Sequence, residues 1–132
     1  ILNINYCTTM LQIGLEYTSK LIVSTSTTAI SFGSGDLPVW ATPSMLALME
    51  NAAMLAVAEH LPERATTVGG HIAAKHLLPT PIGKTVTATA ILSQIEGRKL
   101  TFKIKAHQED NLIGEGEHVR FVVNKEQFLS KL

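Results

Sequence analysis

A single helix-length run constrains this chain more than any other feature. Residues 43–58 read PSMLALMENAAMLAVA, apolar almost all the way round and interrupted only by Glu50 and Asn51. A surface helix shows one polar face, and a helix without one is buried on most sides. Thr42 suits the N-cap and Pro43 the first helical position, so the helix is expected to start there; Leu61-Pro62 ends it. At ~1.5 Å per residue it spans roughly 25 Å. One side of a flat sheet cannot cover every face of such a rod. Either a sheet curls round it or a second copy of the protein covers the open side, and both are expected.

The rest of the chain reads as strands. Residues 15–24 (LEYTSKLIVS) are rich in β-branched and aromatic side chains, and residues 66–78 (TTVGGHIAAKHLL) form a second strand. Within it Gly69-Gly70 marks a bulge or a close backbone approach. Residues 85–95 alternate, Glu96-Gly97 turns the chain, and residues 99–107 alternate again. There Leu100, Phe102, Ile104 and Ala106 face one way, and Thr101, Lys103, Lys105 and His107 the other. Glu109-Asp110-Asn111 leads into a strand over 112–123, and Asn124 with Gln127 is spaced to cap a closing helical turn. Residues 25–38 (TSTTAISFGSGDLP) are Ser-, Thr- and Gly-rich and read as a mobile loop. The pattern predicts an α+β fold: one domain over 1–132, with about five antiparallel strands and one long helix.

Composition narrows the function. The formal net charge is zero, so binding to nucleic acid has no electrostatic support. The one cysteine, Cys7, cannot form an internal disulfide and suits a reducing cytoplasm. No basic segment followed by an apolar stretch opens the chain, and the 43–58 helix is too short to span a bilayer, so a cytoplasmic protein without a membrane partner is expected. The first residue is not Met, which is consistent with an upstream part missing or removed. No phosphate loop, Cys cluster or metal-ligand His spacing occurs, His60, His107 and His118 included, and no cofactor is expected. Glu50 stands out instead. Among hydrocarbon side chains a carboxylate is costly, and burial is expected to raise its pKa.

Three segments, ATPSMLALMENAA, VGGHIAAKHLLPTPIGKTVTATA and LIGEGEHVRFVV, resemble in that order the fluoroacetyl-CoA thioesterase family. The resemblance covers roughly residues 10–130 and rests on Thr42, Glu50, Gly69, His76 and Arg120 occurring together. It implies the hot-dog fold, in which a curved antiparallel sheet wraps a central helix and two subunits pair. It also implies hydrolysis of an acyl-CoA thioester to a carboxylic acid and free CoA. The family's catalytic threonine, glutamate and histidine would fall on Thr42, Glu50 and His76, and its substrate contacts on Gly69 and Arg120.

The chemistry fits those residue types. Thioester hydrolysis needs a nucleophile, a place for the oxyanion and a proton carrier. Glu50 could attack the carbonyl or activate water, His76 could carry the proton, and Thr42 could orient His76 or the substrate. Backbone N–H groups near Gly69 or at the helix start could receive the oxyanion. Each residue also has a plain structural reading: Thr42 as a cap, Glu50 reaching solvent, His76 as an ordinary strand histidine, Gly69 in a bulge, Arg120 as a cross-strand partner. His71, five residues before His76, should face the other way. Thr42 and Glu50 lie about 12 Å apart along a regular helix, which favours a site completed across a homodimer.

One stretch departs from the family. The fluorine-selective member closes a lid of aromatic side chains over a very small acyl group, whereas residues 25–38 hold one aromatic residue, Phe32. A general acyl-CoA thioesterase is therefore expected, with fluoroacetyl-CoA not its natural substrate. Two other functions suit the same fold, an acyl-CoA sensor without turnover and an enoyl-CoA hydratase. A sensor has no need of a buried carboxylate, and no Asp–His pair at hydratase spacing occurs.

Overall fold

A computed structural model describes residues 10–132; Cys7 lies outside them. In chain order the elements are β1 (Glu16–Ile22), a 3-10 turn (Thr25–Thr27), α1 (Ala29–Phe32), α2 (Thr42–Ala58), β2 (Ala65–His76), β3 (Thr85–Glu96), β4 (Lys99–Gln108), β5 (Asn111–Asn124) and α3 (Lys125–Ser130). The strands form one antiparallel sheet in the order β1-β3-β4-β5-β2. Strands β3, β4 and β5 are joined by tight turns and pair as a meander, as their alternation predicts. Strands β1 and β2 take the two edges.

The core lies between α2 and one face of the sheet. Val86, Ala88, Ala90 and Leu92 of β3 and Leu100, Phe102, Ile104 and Ala106 of β4 are buried there. From α2 come Met45, Met49, Ala52, Ala53, Ala56 and Val57. Burying such apolar side chains is worth roughly 1.5–3 kcal/mol each for the larger ones, which supplies most of what holds the helix in place. The alternation predicted for β4 is present, except that Thr101 on the outer face is also buried. Asn124 caps α3 by accepting from the Gln127 N–H at 3.0 Å.

Two expectations are corrected. Residues 25–38 are not a featureless loop. Thr28 caps α1 by accepting from the Ser31 N–H, and Gly33 ends it in the left-handed region at φ 70. Backbone bonds from Ala29 N to Val39 O and from Ala41 N to Thr27 O tie the segment down. A four-residue helix is too short to leave a periodic signature in the sequence.

The second correction concerns the start of α2. Its N-cap is Ala41, no side chain caps it, and Thr42 is already helical. Pro43 carries no N–H, so the first turn has one donor fewer to satisfy, and the Thr42 hydroxyl is spent elsewhere. In one chain the described residues do not cover α2 all round, which leaves open a side of the kind a second copy was expected to cover. Ala47 and Asn51 are exposed, and Leu46, Leu48, Glu50, Met54 and Leu55 are only half-buried in one chain. No helix among the described residues is long and apolar enough to cross a membrane.

Candidate active site

The polar side chains of interest gather in two places along α2. At its N-terminal end, the last residue of β2 meets the first turn of the helix. Thr42 Oγ1 lies 2.7 Å from His76 Nδ1, a short hydrogen bond between residues 34 apart in sequence. Trp40 meets the imidazole edge-on, with ring centroids 6.3 Å apart and an interplanar angle of 84°. The indole is fully buried and fixed by Nε1 donating to Ser44 Oγ at 2.9 Å. The imidazole is thus held both by a hydrogen bond and by packing.

His76 Nε2 is buried and has no hydrogen-bond partner among the described residues. An unpaired buried nitrogen costs free energy on the order of 1–3 kcal/mol, and such groups in folded proteins call for an explanation. Burial pushes the His76 pKa below its ordinary value, because the cation loses hydration. The ring is therefore neutral near pH 7. A hydroxyl can donate or accept, so either neutral tautomer satisfies the Thr42 bond. A cavity of about 300 Å³ opens beside the pair, walled by Val39, Trp40, Leu77 and Pro79.

Two turns further along α2 lies the second group. Glu50 Oε2 is 3.9 Å from Arg120 Nη1, beyond the 2.7–2.9 Å of a hydrogen-bonded ion pair. The Glu50 side chain is 43% exposed and that of Arg120 only 8%. This corrects the expectation of a buried carboxylate: Glu50 projects from a side of α2 that one chain leaves uncovered. Arg120 donates from Nε to Thr67 Oγ1 at 2.8 Å and from Nη2 to the Thr67 carbonyl at 2.9 Å. Its remaining nitrogen, Nη1, reaches His118 Nε2 at 3.2 Å. Burial pulls the guanidinium pKa down and Glu50 raises it, yet the group stays charged at any ordinary pH.

Gly69 explains how Glu50 fits. A Cβ at that position would lie 2.9 Å from Glu50 Oε2, so only a hydrogen side chain lets the carboxylate rest against β2. The β2–β5 register slips between Gly69 and His71, the bulge the glycine pair predicts. Past it, His71 is exposed and His76 half-buried, as opposite-facing residues should be.

The structure therefore pairs Thr42 with His76, and Glu50 with Gly69 and Arg120, but no bond among the described residues links the two groups. His118 was not anticipated as a site residue. It is 1% exposed and lies two residues before Arg120, on the same inward face of β5. The signal available in the sequence was the period of two that puts His118 and Arg120 side by side opposite Gly69. No group of His, Cys, Asp and Glu side chains suited to a metal ion occurs among the described residues.

A curled antiparallel sheet laid over one long helix is the hot-dog fold, and the relatives that share it define the class of this protein as thioester hydrolases. A family model described as fluoroacetyl-CoA-specific thioesterase matches residues 23–126. The fluoroacetyl-CoA thioesterase of Streptantibioticus cattleyicolor is 40% identical over 94 residues, covering 71% of this chain and 68% of that protein. The crystal structure of the fluoroacetyl-CoA thioesterase FlK superposes with a TM-score of 0.85 at 34% identity, covering 92% of this chain and 94% of that one. Forms of that enzyme have been crystallised with fluoroacetate, with CoA and with acetyl-CoA. A Thermus thermophilus member of the thioesterase superfamily, 24% identical, shares the fold with a TM-score of 0.84 over 91% of this chain and 89% of that one. The chain belongs to the fluoroacetyl-CoA-specific thioesterase family.

Proposed function

We propose that the protein hydrolyses acyl-CoA thioesters to a carboxylic acid and free CoA, with Thr42, Glu50 and His76 as its catalytic set. The observation that carries this reading is the Thr42–His76 pair. A neutral imidazole is fixed at Nδ1 by a hydroxyl, with its Nε2 unpartnered beside a cavity. With Thr42 donating to Nδ1, Nε2 carries the proton and can pass it to the departing sulfur. With Thr42 accepting, Nε2 can take a proton from water. Either way an oxygen–carbon bond forms at the carbonyl, the carbon–sulfur bond breaks, and the thiolate leaves protonated or as the free anion. Glu50, 3.9 Å from Arg120, supplies the carboxylate that either attacks the carbonyl, giving an anhydride that water then opens to the acid and free Glu50, or draws the proton from the attacking water. Gly69, with no side chain between its backbone and Glu50, is the candidate for contact with the substrate carbonyl, as Arg120 beside it is for contact with the substrate.

A homodimer completes this site. Among the described residues strand β2 is a sheet edge with one side unpaired, and Glu50 sits half-exposed on the side of α2 they leave uncovered. Pairing two copies along this region lets the Thr42–His76 group of one protomer face the Glu50 group of the other. The acyl preference is broad and does not centre on fluoroacetyl-CoA. Phe32, the one aromatic residue in the 25–38 segment, is 48% exposed and turned outward rather than packed over a small pocket. Thiol release from a panel of short, medium, branched and aromatic acyl-CoAs tests both points. Turnover should extend across several members and fall by about a hundredfold or more in Glu50→Gln, whose fold is retained. Wild-type rates in that variant, or a marked preference for fluoroacetyl-CoA, would contradict the reading.

A further inference from the structure

His118 touches neither the cavity nor α2's N-terminus, yet its imidazole is one of the most fully buried polar groups in the chain. Both of its nitrogens are engaged. Nδ1 lies 2.7 Å from the His71 carbonyl, which can only accept, so Nδ1 carries the proton. In the neutral ring Nε2 is then a bare lone pair, and it accepts from Arg120 Nη1 at 3.2 Å. Burial keeps the ring neutral by pushing its pKa below the ordinary value, and the Arg120 charge acts in the same direction. The ring leans on Phe102 at a centroid distance of 6.3 Å, which fixes its plane.

Arg120 is thus held from three sides, by the Thr67 hydroxyl, the Thr67 carbonyl and His118. Only Nη1 faces Glu50, and it stops at 3.9 Å. A guanidinium and a carboxylate free to move would close to a two-point contact near ~2.8 Å. Such a clamp would tie up the oxygen that the proposed chemistry needs. The acceptor opposing that closure is His118 Nε2.

From this geometry we infer that His118 is a positioning residue that holds Arg120 back from Glu50, leaving the carboxylate charged and oriented but not clamped. The inference rests on the thioesterase reading above and adds a residue to that site. At its other nitrogen the same imidazole donates to the His71 carbonyl, just past the bulge at Gly69, a bond that fixes the ring's tautomer.

Two substitutions separate the roles. In His118→Asn the amide sits at the depth of Nδ1, so the donor to the His71 carbonyl survives and the acceptor for Arg120 is lost. In His118→Gln the amide reaches the depth of Nε2, so the acceptor survives and the His71 bond is lost. Steady-state thiol release from acetyl-CoA is measured for both, with thermal melting to count folded protein. His118→Asn should lose about tenfold to a hundredfold in kcat, with KM changed by less than about threefold, as expected when a reacting group is misplaced. His118→Gln should retain kcat to within about threefold. Equal losses in the two variants, the reverse order, or a loss that tracks the folded fraction would overturn the inference. Absence of thiol release by the wild-type protein would instead defeat the thioesterase reading beneath it. A nitrogen-15 NMR assignment of the His118 tautomer gives a readout apart from activity. Protonation at Nδ1 is expected, and protonation at Nε2 would overturn the inference.

Discussion

Replacing Gly69 with alanine tests the packing of Glu50 with a single carbon atom. The added Cβ would lie 2.9 Å from Glu50 Oε2, 3.5 Å from His118 Cε1 and 3.6 Å from Arg120 Nη1. The last two are ordinary contacts, so only the carboxylate must give way, by roughly half an ångström to reach a relaxed carbon–oxygen distance. It can do so cheaply, because the Glu50 side chain is 43% exposed and flexible. Gly69 is not in the left-handed region, so alanine fits the backbone and gains about 0.4–1 kcal/mol from a stiffer unfolded chain. A weakened Glu50–Arg120 attraction offsets this by about 0–1 kcal/mol, the usual range for a solvent-screened pair. Stability should therefore stay nearly constant, with Tm moving by less than about 5 °C. Activity should not. A displacement of this size in a reacting group is expected to lower kcat by about tenfold to a hundredfold. The assay is thiol release from acetyl-CoA, run beside a melting curve. Wild-type kcat would refute the placement of Glu50 in the chemistry, and a collapse in Tm would refute the account of how it packs.

The remaining predictions concern Thr42 and the imidazoles of His76 and His118. Thr42→Ala should lower kcat by about tenfold or more and cost about 0.5–1.5 kcal/mol by urea unfolding, because His76 Nδ1 loses its partner while no helix cap is removed; an unchanged kcat would count against Thr42 as the group that orients His76. The acid limb of the kcat–pH profile should lie below pH 6.5, the ordinary histidine value, because burial lowers the His76 pKa; a limb above it would count against His76 as the titrating group. Stability should also fall on acidification below pH 6.5, since the unfolded chain binds protons there that His76 and His118 in the folded chain refuse. Melting at pH 7.5 and 5.5 measures it, and a higher Tm at the lower pH would contradict the buried neutral rings.

The sheet and the long helix were legible because their signals are periodic and local. Leu100, Phe102, Ile104 and Ala106 declare the inward face of β4 by alternation, and the PSMLALMENAAMLAVA run declares the helix by lacking a polar face. What failed was decided by residues distant in sequence. Thr42 satisfies every local rule for a cap, and only His76, 34 residues on, draws its hydroxyl away. Glu50 looked buried because its neighbours are apolar, but exposure depends on where the sheet stops, and β2 is an edge. The Gly69 bulge was visible in the glycine pair, whereas the reason for Gly69 itself, a carboxylate from another element, was not. His118 and Arg120 carried a weak signal, two polar residues sharing the inward face of a strand, that only contact with Thr67 and Glu50 makes meaningful.

The proposed division of Thr42, Glu50 and His76 between two protomers is tested by complementation. Glu50→Gln and His76→Asn chains, each near-inactive alone, are co-expressed with different tags and the mixed dimer is isolated by two affinity steps. Within it, the His76 of the first chain meets the Glu50 of the second at one of the two sites, while the other site lacks both. The account predicts about half of the wild-type thiol-release rate for that species, one intact site of two. A mixed dimer no more active than its parents would show that each site is built within one chain, and would contradict it.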